Sequence, residues 1–153
     1  MKKTSKFAFT TLAYFISSSF VCTLIIIQNT STNLLWLLNN NFHITYEIIL
    51  STLLYDLQGS NLLYLIIFIT LFLAFIIASI MKKLIPLNNS ISYSLSGFLS
   101  LYVMIQITLK IFDNLFVISS VREWYGLFIF CLIGMLGGYI FNLLRELFLQ
   151  RNI

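Results

Sequence analysis

One stretch of the chain carries polar side chains through otherwise apolar sequence: Ser96, Ser100, Gln106, Lys110, Asp113 and Asn114. At about 100° per residue on a helix they fall within about 140° of one another. Hydrocarbon penalises an unpartnered polar group, so this face is expected to point into a bundle of helices. Two uses fit it. One is a polar path for a solute or ion. The other is adhesion between helices, with Lys110 reaching the outer interface and pairing with Asp113. The second is the expected one, because one lysine near a helix end is a weak transport signature.

Other residues with chemical capacity are scattered. His43 is the only histidine. A zinc site needs three or four protein ligands, and a haem in a bundle is commonly held by a pair, so His43 reads as a solvated loop residue. Glu47 follows four residues later, which is too little for a metal. Cys22 and Cys131 lie in separate apolar blocks and match no disulfide framework or CxxC motif. They are expected to be buried thiols at one depth. Glu47, Asp56, Asp113 and Glu123 fall on one side of the expected bundle, but Glu123 has a capping role and Asp113 has Lys110. No catalytic set converges, and no cofactor or metal is expected. Gly134 and Gly138 form a GxxxG. That spacing lets helix backbones approach closely, here against the small-residue ridges of the first two spans, Ala13 with Ser17 and Thr70-Ala74-Ala78. A self-association surface is the rival use of these glycines.

The elements that must position these residues follow from composition. Of 153 residues, 59% are hydrophobic and 9% charged. A soluble domain carries about 25% charged residues, and this chain has too few to cover a surface in water. The apolar residues come in long blocks, as a bilayer solvent requires. The expected fold is therefore an all-α integral membrane protein of four transmembrane helices, over about 7–27, 62–81, 91–111 and 124–146. The whole chain, 1–153, forms one multi-pass membrane domain. The first block follows Lys2, Lys3 and Lys6 and is too long for the core of a cleaved signal peptide, so it reads as an uncleaved anchor.

The outer connection, 28–61, opens on a polar stretch from Gln28 to Asn33. Within it, Tyr46, Ile49, Leu50, Leu53, Leu54 and Leu57 share one helical face. Glu47 and Asp56 flank that face. A short amphipathic helix over about 44–57 is expected, lying in the interface or over the mouth of the bundle. The group 57–61, with Gly59, supplies a stop and a fresh start. Ser120-Val121-Arg122-Glu123 has the spacing of a capping box for the last span.

Orientation follows from the basic residues. With the N-terminus inside, Lys2, Lys3, Lys6, Lys82, Lys83, Arg145 and Arg151 are cytoplasmic, and only Lys110 and Arg122 are outside. The acidic residues lean outward, and Trp36, Tyr55, Tyr64, Trp124 and Tyr125 gather at the outer interface. Both termini are thus expected inside, in a bacterial cytoplasmic (inner) membrane. Basic residues at the ends of apolar blocks set topology; they do not form a nucleic-acid stripe, so no nucleic-acid partner is expected.

Four spans with a long first outer loop resemble the quinone-linked disulfide oxidoreductases of bacterial inner membranes. Those need cysteine pairs in their outer loops, where this chain has none. The expected function is non-enzymatic: a small accessory subunit of the lipid bilayer that packs against another membrane protein or forms a homo-oligomer. Immunity proteins against pore-forming toxins are similar in size and span count. The alternative is a small transporter or channel subunit using the polar face of the third span.

Overall fold

The computed structural model describes residues 3–59, 61–83, 88–112 and 118–150. These form five α-helices: α1 (Lys3–Asn39), α2 (Tyr46–Gly59), α3 (Asn61–Met81), α4 (Asn89–Ile111) and α5 (Trp124–Gln150). A 3-10 turn, Ser119–Val121, precedes α5. Four of the helices, α1, α3, α4 and α5, are long and apolar enough to cross a membrane.

The hub of the bundle is α5. It packs against α4 on one side and α1 on the other, and α3 covers α4. Val21, Ile25, Leu71, Leu101 and Phe130 fill the middle of the shared core. Contact between α4 and α5 is set by glycines. A Cβ on Gly97 would collide with the Gly134 carbonyl, and one on Gly138 would collide with the Tyr93 carbonyl. The GxxxG ridge therefore seats on α4, with Gly97 as its counterpart. This corrects the expected seating of Gly134 and Gly138 on the first or second span. Gly137 alone faces α1, against Val21. Ala74 and Ala78 are buried in α3, the helix that covers α4.

The first helix departs most from the sequence reading. The polar stretch after Ile27 does not begin a loop; α1 runs on for 37 residues in all. Ser31 and Thr32 donate to the carbonyls of Ile27 and Gln28 on their own helix, while Gln28, Asn29, Thr30 and Asn33 find partners on other elements. The stretch is polar because it forms a buried polar seam. The helix stops at the asparagine run. Asn41 takes a left-handed conformation at φ 61°, which asparagine tolerates better than most residues. Phe42 N–H then bonds to the Leu37 carbonyl and Asn41 N–H to that of Leu38, the paired bonds of a Schellman stop.

After a short turn, α2 runs back along this extension. Its Asp56 reaches Asn29, Thr30 and Asn33 near its lower end. The expected apolar face exists but is mounted largely outward: Tyr46, Ile49, Leu50, Leu54 and Leu57 are exposed and Leu53 half-buried, and Asp56 is the buried residue of α2. A further correction concerns the start of α5. Ser119–Val121 forms its own 3-10 turn and the helix begins only at Trp124, so Ser120 and Glu123 do not act as a capping box. Ser120 is buried with its hydroxyl unpartnered. Asn88 does cap α4, its side chain accepting from Ser90 N–H at 3.4 Å.

Candidate functional site, a buried polar seam under an outward-facing helix

The densest polar cluster among the described residues lies where α1, α2 and the turn before α5 meet. Asp56 is 7% exposed and Thr30 5%. The Asp56 carboxylate accepts from Thr30 Oγ1 at 2.8 Å, Asn29 Nδ2 at 3.0 Å, and Asn33 Nδ2 at 3.2 and 3.3 Å. The two amides then present their oxygens to the turn. Ser119 Oγ lies 2.7 Å from Asn29 Oδ1 and 2.8 Å from Asn33 Oδ1, and Ser120 N–H donates to Asn29 Oδ1 at 3.3 Å. Gln28 Nε2 donates to the Gly126 carbonyl at 2.8 Å, and Tyr64 Oη donates to the Asp56 carbonyl at 3.2 Å.

The amide donors sit on one side of α1 because Asn29 and Asn33 are four residues apart, one above the other on a helix. Thr30 is one step round and closes on the second carboxylate oxygen. Every recorded donor to the carboxylate is neutral. Hydrogen bonds to a charged group contribute about 1.5–3 kcal/mol each, and the cost of taking the charge out of water offsets much of that sum. What remains is specificity, since one register of α2 on α1 satisfies the carboxylate and a slip of one residue does not.

Such a cluster holds elements together. The carboxylate oxygens are engaged by fixed donors, and among the described residues no histidine, cysteine or second carboxylate joins them. Glu47, Glu123 and His43 are exposed, and Asp113 lies outside the described residues. No three metal-ligating side chains come together among the described residues. Cys22 and Cys131 are free and buried.

The polar residues of α4 are not gathered into one site. Ser96 and Ser100 donate to the carbonyls of Tyr93 and Gly97 on their own helix. They line a cleft of about 290 Å³ against Thr70 and Ala74 of α3. Gln106 is half-buried and Lys110 exposed. Between that helix and α5, Gly97 and Leu101 pack on Gly134, and the polar contacts are those of Asn142 with Ser90 and of Arg145 with Tyr93.

Two further concavities flank the bundle. One, of about 490 Å³, is an open cleft between the end of α1 and α2, lined by Asn33, Trp36, Leu37, Ser51, Thr52, Tyr55 and Asp56. The other, of about 330 Å³, lies at the opposite end between α1 and α3, with Tyr93, Phe141 and Arg145 at its base. Composition had marked Asp56 only as a flank of the α2 face, and nothing marked Asn29, Asn33 or Ser119 as its neighbours. The available signal was the Asn29–Asn33 spacing directly after an uncharged helix. No family model matches the chain, and no curated protein or solved structure matches it either.

Proposed function

We propose that this chain is a non-catalytic accessory subunit of a bacterial cytoplasmic membrane, with both termini inside, that docks on a larger membrane protein through its outer helical hairpin. One observation carries the reading: α2 is fixed by its polar side and turns its apolar side outward. Tyr46 is 81% and Tyr55 79% exposed, and Leu35, Trp36 and Leu38 on the adjoining end of α1 and Phe42 in the turn after it are exposed.

Length argues for a protein partner over lipid. Twelve residues of α1 follow Ile27, and at about 1.5 Å per residue they extend about 18 Å. The headgroup layer outside the ~30 Å hydrocarbon core is only about 5–8 Å deep. With the span placed at 7–27, the tip of the hairpin stands clear of the lipid, and its apolar residues need another cover. A contiguous exposed apolar surface of this kind is typical of an interaction site. The polar seam supports the reading by giving the hairpin one fixed shape, so that docking loses little conformational entropy.

The experiment is a capture in mild detergent from the native membrane, comparing the wild-type chain with Leu50→Glu and Leu54→Glu. A stoichiometric partner should be recovered by the wild type and lost from both variants, with their helical content unchanged. A clean monomer, or capture indifferent to both substitutions, would sink the proposal.

A further inference from the structure

The groove at the other end of the bundle is unlike the outer cleft. Its walls are Phe7, Thr11 and Tyr14 of α1 and Phe72, Phe75 and Ile76 of α3, and Arg145 stands at its base. Its volume of about 330 Å³ lies in the range of small-ligand sites, roughly 300–1,000 Å³. Three of the wall hydroxyls are already used as donors, and that of Ser79 is the remaining one. Thr10 and Thr11 donate to the carbonyls of Lys6 and Phe7, and Tyr14 Oη donates to the Phe68 carbonyl. Apart from the Ser79 hydroxyl, the walls thus offer a ligand hydrocarbon and ring surface. The base is rigid: Phe75 stacks on Phe141 at 4.5 Å, and the Tyr93 ring meets Phe141 edge-on at 5.0 Å.

Two cations converge on this base. Arg145 Nη1 donates to Tyr93 Oη at 3.1 Å, and Lys82 Nζ lies 4.7 Å from the centre of the Tyr93 ring. Neither meets a carboxylate among the described residues; the nearest acid in sequence, Glu146, is held by Asn142. A half-buried guanidinium and an ammonium, both resting on a ring, leave most of their donors free for an anion. The combination is an apolar slot opening sideways between two spans, with two unpaired positive charges at its end.

We infer that this groove binds one anionic phospholipid, its acyl chain between α1 and α3 and its phosphate at Arg145 and Lys82. Charge complementarity selects this occupant. A purely apolar partner helix would leave both cations buried and unpaired, whereas a phospholipid of the adjacent leaflet satisfies slot and charge together. Arginine suits the phosphate because its fork of donors can bind two oxygens at once. The inference is independent of the outer hairpin and of any protein partner.

Native mass spectrometry tests it on the full chain purified in neutral detergent, with phosphatidylglycerol and phosphatidylcholine of identical chains as probes. The wild type should retain phosphatidylglycerol over phosphatidylcholine by roughly tenfold. Lys82→Gln with Arg145→Gln should bring the two lipids to parity. Lys82→Arg with Arg145→Lys should keep the preference, and so should Lys83→Gln, which alters an exposed neighbouring charge. Thr11→Trp, which fills the slot, should lower retention of both lipids. Parity in the wild type, a preference that survives loss of both charges, or retention untouched by Thr11→Trp would overturn the inference. A lipid-free dimer would do so too, by assigning the groove to a second copy of the chain.

Discussion

Replacing Asp56 by alanine is the sharpest probe of how the outer hairpin is held. The substitution removes the acceptor for Thr30 Oγ1, Asn29 Nδ2 and Asn33 Nδ2 in a site that is 7% exposed at Asp56. Each buried donor left without a partner costs about 1–3 kcal/mol. Recovered desolvation of the charge offsets part of that total, so a net loss of about 3 kcal/mol is expected. The loss is local, because α2 has little other purchase on the bundle: its apolar face is turned away. Hydrogen exchange reports such local opening. Amides of α2 should exchange roughly a hundredfold faster in Asp56→Ala, while those in the middle of α5 stay unchanged. A double-mutant cycle with Thr30→Val should show coupling of about 1–2 kcal/mol across the 2.8 Å bond. Exchange in α2 that changes by less than threefold would refute the assignment of Asp56 as its tether. So would acceleration spread evenly over all helices.

Gly138→Val should destabilise the bundle by at least about 1–3 kcal/mol, since the added methyls meet the Tyr93 carbonyl and α4 backbone. Thermal unfolding in detergent checks this, and a native gel should show no change of assembly state, because the ridge is used within the chain. Single cysteines in a Cys22→Ser, Cys131→Ser background should be labelled from outside at Thr52 and protected at Asn88. The reverse pattern would invert the topology. Gln106→Leu and Lys110→Leu should leave helical content and partner capture unchanged; loss of a measurable solute flux in both would instead restore the polar face of α4 as a path.

Much of the fold was legible because the bilayer imposes a simple rule on sequence. Uncharged blocks of about 20 residues become helices, and the structure places α3 and α4 within two residues of the expected bounds. Where the chain leaves that rule, the reading failed for a physical reason. Composition alone does not separate a polar loop from a polar helical seam. Gln28 to Asn33 have the residue types of a loop, yet Gln28, Asn29, Thr30 and Asn33 find partners that only tertiary structure supplies. The apolar stripe of α2 was visible, but periodicity does not say which way a stripe faces, and a single carboxylate, Asp56, decided it. Gly97 passed unnoticed inside a segment read for its polar residues, although it is what lets Gly134 and Gly138 reach α4.

The polar seam also has a consequence for biogenesis. Asn29 and Asn33 are synthesised early, and Asp56 soon after, but Ser119 and Ser120 emerge some 90 residues later than Asn29, as the sequence separation of their bonds records. Until the last span enters the bilayer, the amide oxygens of Asn29 and Asn33 lack their partners on the turn. The bonds between the hairpin and the turn can therefore form only once that part of the chain is made. A chain truncated before α5 would leave those amide oxygens unpartnered, so the finished seam reports that α5 is in place.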